Sequence, residues 1–368
     1  MYQQLFIPIE EHINKSYYIY FSDDFKKDWF DLLKNLRFTK NVLITDDNVF
    51  TYHKELIQTL ANQLQPSKII VRPAGEEYKH IKYTQEIYED LIQYEVDRKS
   101  GIIAVGGGVI GDFAGFIAST LLRGIGFVQI PTTLLAMVDS SVGGKVAVNV
   151  DVGKNMIGSF YQPRVVLCSL AFLRTLPEKE WICGLAEMVK HALLKRNVYE
   201  NFKKVVFNQP DYKTWDFELW NRLIYESIQV KAEVVSKDEK ESGLRSILNL
   251  GHTVAHAIES LTNYKEFSHG EAVSRGLITA LLLSKKKFQL SDKIIEEVIQ
   301  IMRLLKLPLD TANLKANEIA QHLIYDKKNQ KGKIKYIYLK DIGNPVYDLE
   351  LDIHDFLDAW MLQKDLFG

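Results

Sequence analysis

The sequence predicts an α/β fold: an N-terminal Rossmann-like parallel-sheet domain over 1–175, followed by a mainly α-helical domain over 176–368. Three observations predict it. Short apolar runs alternate with longer mixed segments in the first half. A glycine-rich turn joins one such run to a helical segment. In the second half, apolar residues recur three and four apart over long stretches. With 368 residues and 46% hydrophobic content, the chain is long enough to bury a core in each half.

In chain order, "NVLITDD", "SKIIVRP", "GIIAVGGG" and "GFVQIPTT" read as strands, separated by helix-like stretches near 50–64, 79–97 and 111–121. That alternation predicts a parallel sheet with helices on both faces. Near Thr175–Pro177 proline ends the last strand region, and the domain boundary is placed there. Beyond it, "EKEWICGLAEMVKHALLK", "NRLIYESIQVKAEVVSKD" and "GEAVSRGLITALLLSKKK" carry helical periodicity. The late "KIKYIYL" reads as an isolated or edge strand, and no repeat or low-complexity segment interrupts the chain.

Lys plus Arg (46) nearly balance Asp plus Glu (47), so no global field draws the chain to nucleic acid or an anionic membrane. The start, "MYQQLFIPIEEH", lacks the basic and apolar regions of a signal peptide. The most apolar stretch is broken by Arg123, Gln129 and Pro131, so a cytoplasmic protein is expected. Two cysteines, Cys168 and Cys183, make neither a disulfide framework nor a four-thiolate zinc site, and read as buried small hydrophobes.

"GIIAVGGGVIGDFAG" places Gly106-x-Gly108-x-x-Gly111 after a strand and before a helix. Glycines there let the backbone approach a diphosphate, and the free amides of the helix start face its charge. A tight strand-to-helix turn has the same composition. No acid lies about 20 residues on, as the usual dinucleotide fingerprint has it. Asp46, ending "NVLIT", is the candidate ribose acid, or else merely the cap of the next helix. The diphosphate loop then belongs to a later strand than in the common order.

"NLGHTVAHAIE" sets His252 and His256 four apart on one helix face. Two ligands do not complete a catalytic zinc site, which typically takes three protein groups. Glu187 in "GLAEMVKHALL" and His269 in "FSHGEAV" are the further candidates, with His191, four residues after Glu187, offering a rival set. Spacing alone reads any one of these histidines equally as a ligand or as a hydrogen-bonded structural residue. Lys190 adds an ammonium to the Glu187 face. "MVDSSVGGKVAVNVDVGKN" puts Asp139, Lys145, Lys154 and Asn155 among small residues, where a lysine suits an anion unless it is simply at the surface.

"GEEYKH", "GGGVIGDFAGF", "RG", "PTTLLAMVDSSVGGKVAVN", "GKNMIGSFYQP", "FLRTLPEKE", "GLAEMVKH", "RSILNLGHTVAHAIE", "HGEAV" and "DKK" occur in the order and approximate spacing of the 3-dehydroquinate synthases. The chain resembles that family from about Asp46 to Lys333. The resemblance implies an NAD-dependent zinc enzyme of the shikimate pathway, with Co2+ as the alternative ion, usually homodimeric. Its substrate is a small sugar phosphate: 3-deoxy-D-arabino-heptulosonate 7-phosphate becomes 3-dehydroquinate and phosphate. The implied route is transient NAD oxidation, phosphate elimination, re-reduction and intramolecular aldol closure. Oxidising an alcohol to a ketone acidifies the neighbouring C–H, which makes the elimination feasible.

Carried over by motif, the resemblance implies Glu187, His252 and His269 as metal ligands and His256 as general acid/base. Lys190 and Asp139 orient the hydroxyls. Lys145, Asn155, Asn249, His256 and Lys327 surround the phosphate, with Arg123 reaching in from a partner subunit. Lys231 and Arg245 bind the carboxylate, and Lys145 completes the catalytic set. For NAD it implies Asp46, Gly75, Glu76, Lys79, Gly107, Gly108, Val109, Ile110, Gly111, Asp112, Thr132, Thr133, Lys145, Lys154, Phe172 and Thr175. The rivals are another sugar phosphate cyclase, which has no carboxylate to satisfy Lys231 and Arg245, and a metal-dependent polyol dehydrogenase, which has no need of phosphate-facing cations. Ala74, Val254–Ala255 and Arg275 depart from the family pattern.

Overall fold

The computed structural model describes residues 14–329 and 333–368, without the side chains of 326–329. The first half runs β1 (Tyr18–Ser22), α1 (Lys27–Lys34), β2 (Asn41–Asp46), α2 (Asp47–Gln63), β3 (Ser67–Arg72), α3 (Thr84–Gln93), β4 (Gly101–Gly106), α4 (Gly108–Thr120) and β5 (Gly126–Pro131). It ends with β6 (Lys145–Val150), β7 (Gly153–Phe160) and β8 (Val165–Ser169). A six-stranded parallel sheet has the order β1-β8-β5-β4-β2-β3.

β2 and β4 are buried at every residue, as strands covered on both faces must be. Val42, Ile44, Ile102 and Ala104 pack with Ile87 and Leu91 of α3 and Phe113 of α4. Leu43, Ile103 and Val105 pack with Ile57 and Leu60 of α2. The two-residue alternation of strand side chains therefore sets α3 and α4 on one face and α2 on the other. The chain leaves β2 towards β3 but leaves β4 towards β5, so the carboxyl ends of β2 and β4 flank a topological switch point. Asp46 ends one strand and Gly106 the other. Open α/β sheets bind ligands in that crevice.

Four strands escape the sequence reading. β1 is an edge strand, β8 lies between β1 and β5, and β6–β7 form a separate antiparallel hairpin that the small-residue stretch did not announce. After β8 come a 3₁₀ segment, Leu170–Thr175, and Pro177.

The second half is α5 (Glu178–Leu194), α6 (Arg196–Asn208), α7 (Phe217–Lys237), α8 (His252–Leu261), α9 (His269–Phe288), α10 (Asp292–Leu304) and α11 (Ala316–Asn329), then β9 (Lys335–Asp341), β10 (Asn344–Glu350) and α12 (Ile353–Phe367). "KIKYIYL" is thus not isolated: β9 pairs with β10 in an antiparallel hairpin. Asp216 caps α7 through Leu219 N–H, and Ser268 caps α9 in a reciprocal box with Glu271. Most of α9 is buried, from Ala272 to Ser284 without a break, packed on α5, α8, α12 and β9. One apolar cluster continues from the α2 face of the sheet into these helices. Among the described residues, no helix is long and apolar enough to cross a membrane.

Candidate active site

Glu187 lies mid-way along α5, while His252 and His269 are the first residues of α8 and α9. Their ligand atoms all lie within 4.8 Å of one another. Glu187 Oε1 is 3.4 Å from His252 Nε2 and 3.5 Å from His269 Nε2. Glu187 is fully buried, and among the described residues neither of its oxygens has a hydrogen bond of good geometry; its company is ionic, from Lys190 and the two imidazoles. A desolvated carboxylate facing two imidazole nitrogens fits the donor chemistry of zinc or cobalt.

The other ring nitrogens are engaged: His252 Nδ1 lies 3.2 Å from Leu250 O, and His269 Nδ1 lies 3.3 Å from Glu259 Oε1. Both Nε2 atoms are left for the common point. Burial alone would raise the Glu187 carboxyl, but Lys190 and then His252 outweigh it and hold Glu187 ionised. Burial opposes charge on His269, yet the carboxylates of Glu187 and Glu259 beside it win and push it up to about 10. A metal ion competes with that proton.

Asp139, Glu187 and His191 also converge within 4.8 Å. There, however, Lys231 Nζ already lies 2.7 Å from Asp139 Oδ1 and 2.6 Å from Asp139 O. His191 Nδ1 is engaged with Ser227 Oγ at 2.7 Å, and burial, followed by Lys190, pushes this imidazole down to about 3. Asp139 already has its counter-charge, so the geometry favours the His269 set over the His191 set.

Asp139 belongs to a π-helical turn, Ala136–Ser140, of the kind that recurs at functional sites. Ser140 follows it, and Ser140 Oγ lies 3.0 Å from where a Cβ on Gly108 would sit. The glycine turn and the metal-ligand cluster therefore meet through this one turn.

Of the residues implied for phosphate, Lys145 and Asn249 converge on one carboxylate, Glu241: Lys145 pairs with Oε2, and Asn249 Nδ2 donates to Oε1 at 2.9 Å. The His256 ring faces solvent, edge-on to His252 at 5.6 Å between centroids. Surrounding protein first, and His252 second, push its pKa down, so it is neutral at pH 7; water at the ring limits how far. Asn155 is exposed with left-handed backbone (φ 54), and its backbone N–H donates to Asn149 Oδ1. Arg123 (φ 70) is also exposed and makes no ion pair among the described residues. Lys327 lies on α11, where its side chain falls outside the described residues.

The carboxylate-binding pair needs a correction. The expectation that Lys231 and Arg245 stand unpaired without a carboxylate ligand does not hold. Lys231 pairs with Asp139, and Arg245 donates to Gly143 O at 3.2 Å and to Glu239 O at 2.5 Å. Their burial is compensated inside the chain, so the penalty for a ligand lacking a carboxylate is smaller than the sequence suggested.

On the cofactor side, Asp46 does cap α2, accepting from Val49 N–H at 2.9 Å. Gly107 caps α4 without a side chain, leaving the first-turn amides of Gly108, Val109 and Ile110 open to an anion. Gly111 approaches Gln129, where a Cβ would lie 2.9 Å from Oε1. Buried Lys79 bridges Asp112 at 3.0 Å and Glu76 at 3.2 Å, while Lys154 lies 3.9 Å from Glu76, which follows Gly75 (φ 131). Among the described residues Thr132 Oγ1 is buried without a hydrogen-bond partner, Thr133 Oγ1 accepts from Ala136 N–H, and Phe172 and Thr175 both contact His53. Open helix amides and an orphaned hydroxyl fit a dinucleotide at the switch point.

The family departures find local reasons. Ala74 N–H donates to Asp47 Oδ1, so a neighbouring acid holds that loop. Buried Arg275 lies over the Phe267 ring and donates to Asp310 and to Glu271 O, a tie within the helical half. Ala255 is fully buried in α8. The sequence reading passed over Glu241, which looks like part of a solvated charge run, "DEKES". It also passed over Glu259, although helical spacing from His252 and His256 puts it on their face.

A family model described as "3-dehydroquinate synthase N-terminal" matches residues 69–183, and "3-dehydroquinate synthase C-terminal" matches 184–329. The 3-dehydroquinate synthase of Leptospira interrogans is 51% identical over 328 residues, 89% of this chain and 90% of the relative. Among solved structures, 2-epi-5-epi-valiolone synthase from Streptomyces hygroscopicus, with NAD+ and Zn2+ bound, has TM-score 0.85 at 22% identity, covering 98% of this chain and 99% of that one. A 2-deoxy-scyllo-inosose synthase complexed with carbaglucose-6-phosphate, NAD+ and Co2+ has TM-score 0.81 at 25% identity, covering 93% and 95%. Given two matched halves and a relative identical at half of its positions along nearly the whole chain, this chain belongs to the 3-dehydroquinate synthase family.

Proposed function

We propose that the chain converts 3-deoxy-D-arabino-heptulosonate 7-phosphate to 3-dehydroquinate and phosphate in the cytoplasm, as a step of the shikimate pathway. NAD and Zn2+, or Co2+, are its resident cofactors. The observation that carries this reading is the convergence of Glu187, His252 and His269, joined to the glycine turn through Asp139–Ser140. Bound there, NAD supplies reversible hydride transfer and the metal polarises the hydroxyl being oxidised.

The chain's own residues do the rest. Lys190 and Asp139, beside the ligands, orient the substrate hydroxyls; Lys231 and Arg245 hold its carboxylate. Lys145, Asn155, Asn249, His256 and Lys327 face the departing phosphate. Glu241 holds Lys145 and Asn249 in place until the phosphate takes their bonds. Neutral His256 is free to accept a proton. Asp46, the α4 amides, Lys79, Asp112, Thr132 and Thr175 bind the dinucleotide.

We take the working form to be a homodimer. The β6–β7 hairpin exposes Val152, Met156 and Phe160, and Arg123, in left-handed backbone, is exposed as a residue reaching into a partner must be. We keep the division at 175/176 as two functional units, NAD-binding and metal- and substrate-binding.

The test is release of inorganic phosphate from the heptulosonate phosphate with catalytic NAD, with and without a chelator, against a hexose phosphate lacking the carboxylate. Chelator-sensitive release from the heptulosonate alone, without net NADH, is expected. Preference for the hexose phosphate supports another cyclase, and stoichiometric NADH supports a polyol dehydrogenase.

A further inference from the structure

The geometry points to Glu259 as a positioning residue for the metal ligand His269, an inference that rests on the proposed ligand set. Glu259 lies seven residues after His252 and three after His256, on the same face of α8. Glu259 is only 8% exposed, and burying a carboxylate is costly without a partner. Its partner is His269 Nδ1, at 3.3 Å across the α8–α9 contact.

An imidazole has two nitrogens. With Nδ1 donating to Glu259, the lone pair of Nε2 is left towards Glu187 Oε1, 3.5 Å away. His252 is turned the same way by a neutral acceptor, Leu250 O at 3.2 Å. The two histidines therefore differ in what stands behind them: a carbonyl for one, a full negative charge for the other. Glu259 fixes the His269 tautomer and ring orientation, and its charge strengthens His269 as a donor. Carboxylates in this role typically govern about 10- to 100-fold in metal affinity. Glu259 touches neither substrate nor cofactor in this scheme; it acts through His269.

The experiment strips the purified protein of metal and titrates it with Zn2+ against a chromophoric chelator. Wild type, Glu259→Gln and His252→Ala are compared, and the visible bands of the Co2+-loaded proteins are recorded. Glu259→Gln is expected to weaken zinc about tenfold or more and to move the cobalt bands, with the melting midpoint of the metal-free protein retained. Unchanged affinity and bands in Glu259→Gln, where His252→Ala has lost the metal, overturn this inference alone. Full metal affinity in His252→Ala overturns the ligand set and the inference with it. If Glu259→Gln does not fold, nitrogen-15 shifts of the histidines in the zinc-loaded wild type decide. Metal on Nε2 and a proton on Nδ1 of His269 are expected; the reverse overturns the role of Glu259.

Discussion

Arg245 is 2% exposed, and its guanidinium is held by the carbonyls of Gly143 and Glu239. Burial, opposed by Glu241 and Asp139, lowers its pKa from the usual arginine value, but a guanidinium remains charged at any working pH. A substrate carboxylate would add a charged acceptor to a group already fixed in place. Replacing it by alanine removes a charged hydrogen bond of about 1.5–3 kcal/mol, tenfold or more in binding. Arg245→Ala is therefore expected to raise KM for the heptulosonate phosphate at least tenfold. Competitive inhibition by inorganic phosphate should hardly change, because Lys145 and Asn249 remain. Steady-state kinetics checks this, and an unaltered KM removes Arg245 from carboxylate binding. The members of the candidate metal cluster were legible only through the family resemblance, since spacing left several histidines open. The pairing of Lys231 with Asp139 was not, because the two lie 92 residues apart in the chain.

At the scale of elements, α8 and α9 approach closely enough to bring their first residues, His252 and His269, together. Gly251 (φ 78) precedes α8, and a Cβ on Gly276 of α9 would sit 2.1 Å from Gly251 O. That is backbone against backbone, with no side chain to yield. Gly276→Ala is expected to cost about 1–3 kcal/mol or more of stability and to loosen metal binding by moving His252 away from His269. Thermal unfolding and chelator competition on the purified variant check both, and wild-type values in each refute the close-approach argument. The sequence showed these helices by their periodicity, and showed β2 to β5 by short β-branched runs. It did not show β6–β7, where the preceding "SSVGG" and the glycines of β7 resemble a loop, or β1, whose exposed tyrosines alternate at a sheet edge. Strand pairing there depends on distant partners, which local pattern does not encode.

Across the whole molecule, the sheet supplies a switch point at Asp46 and Gly106, the helical half supplies the candidate metal cluster, and the turn Ala136–Ser140 joins them. One apolar cluster running from the α2 face of the sheet into the helices holds these parts in register. The α/β order and the place of the glycine turn on a later strand were readable from alternation and spacing. The meeting of the three ligands was readable only through resemblance, because the sequence alone left His191 and His269 as equals. Metal content per chain after gel filtration, for wild type and Glu187→Ala, bears most directly on the account. Stoichiometric zinc or cobalt in the wild type and none in the variant is the predicted result; a Glu187→Ala protein that keeps its full complement of metal contradicts it.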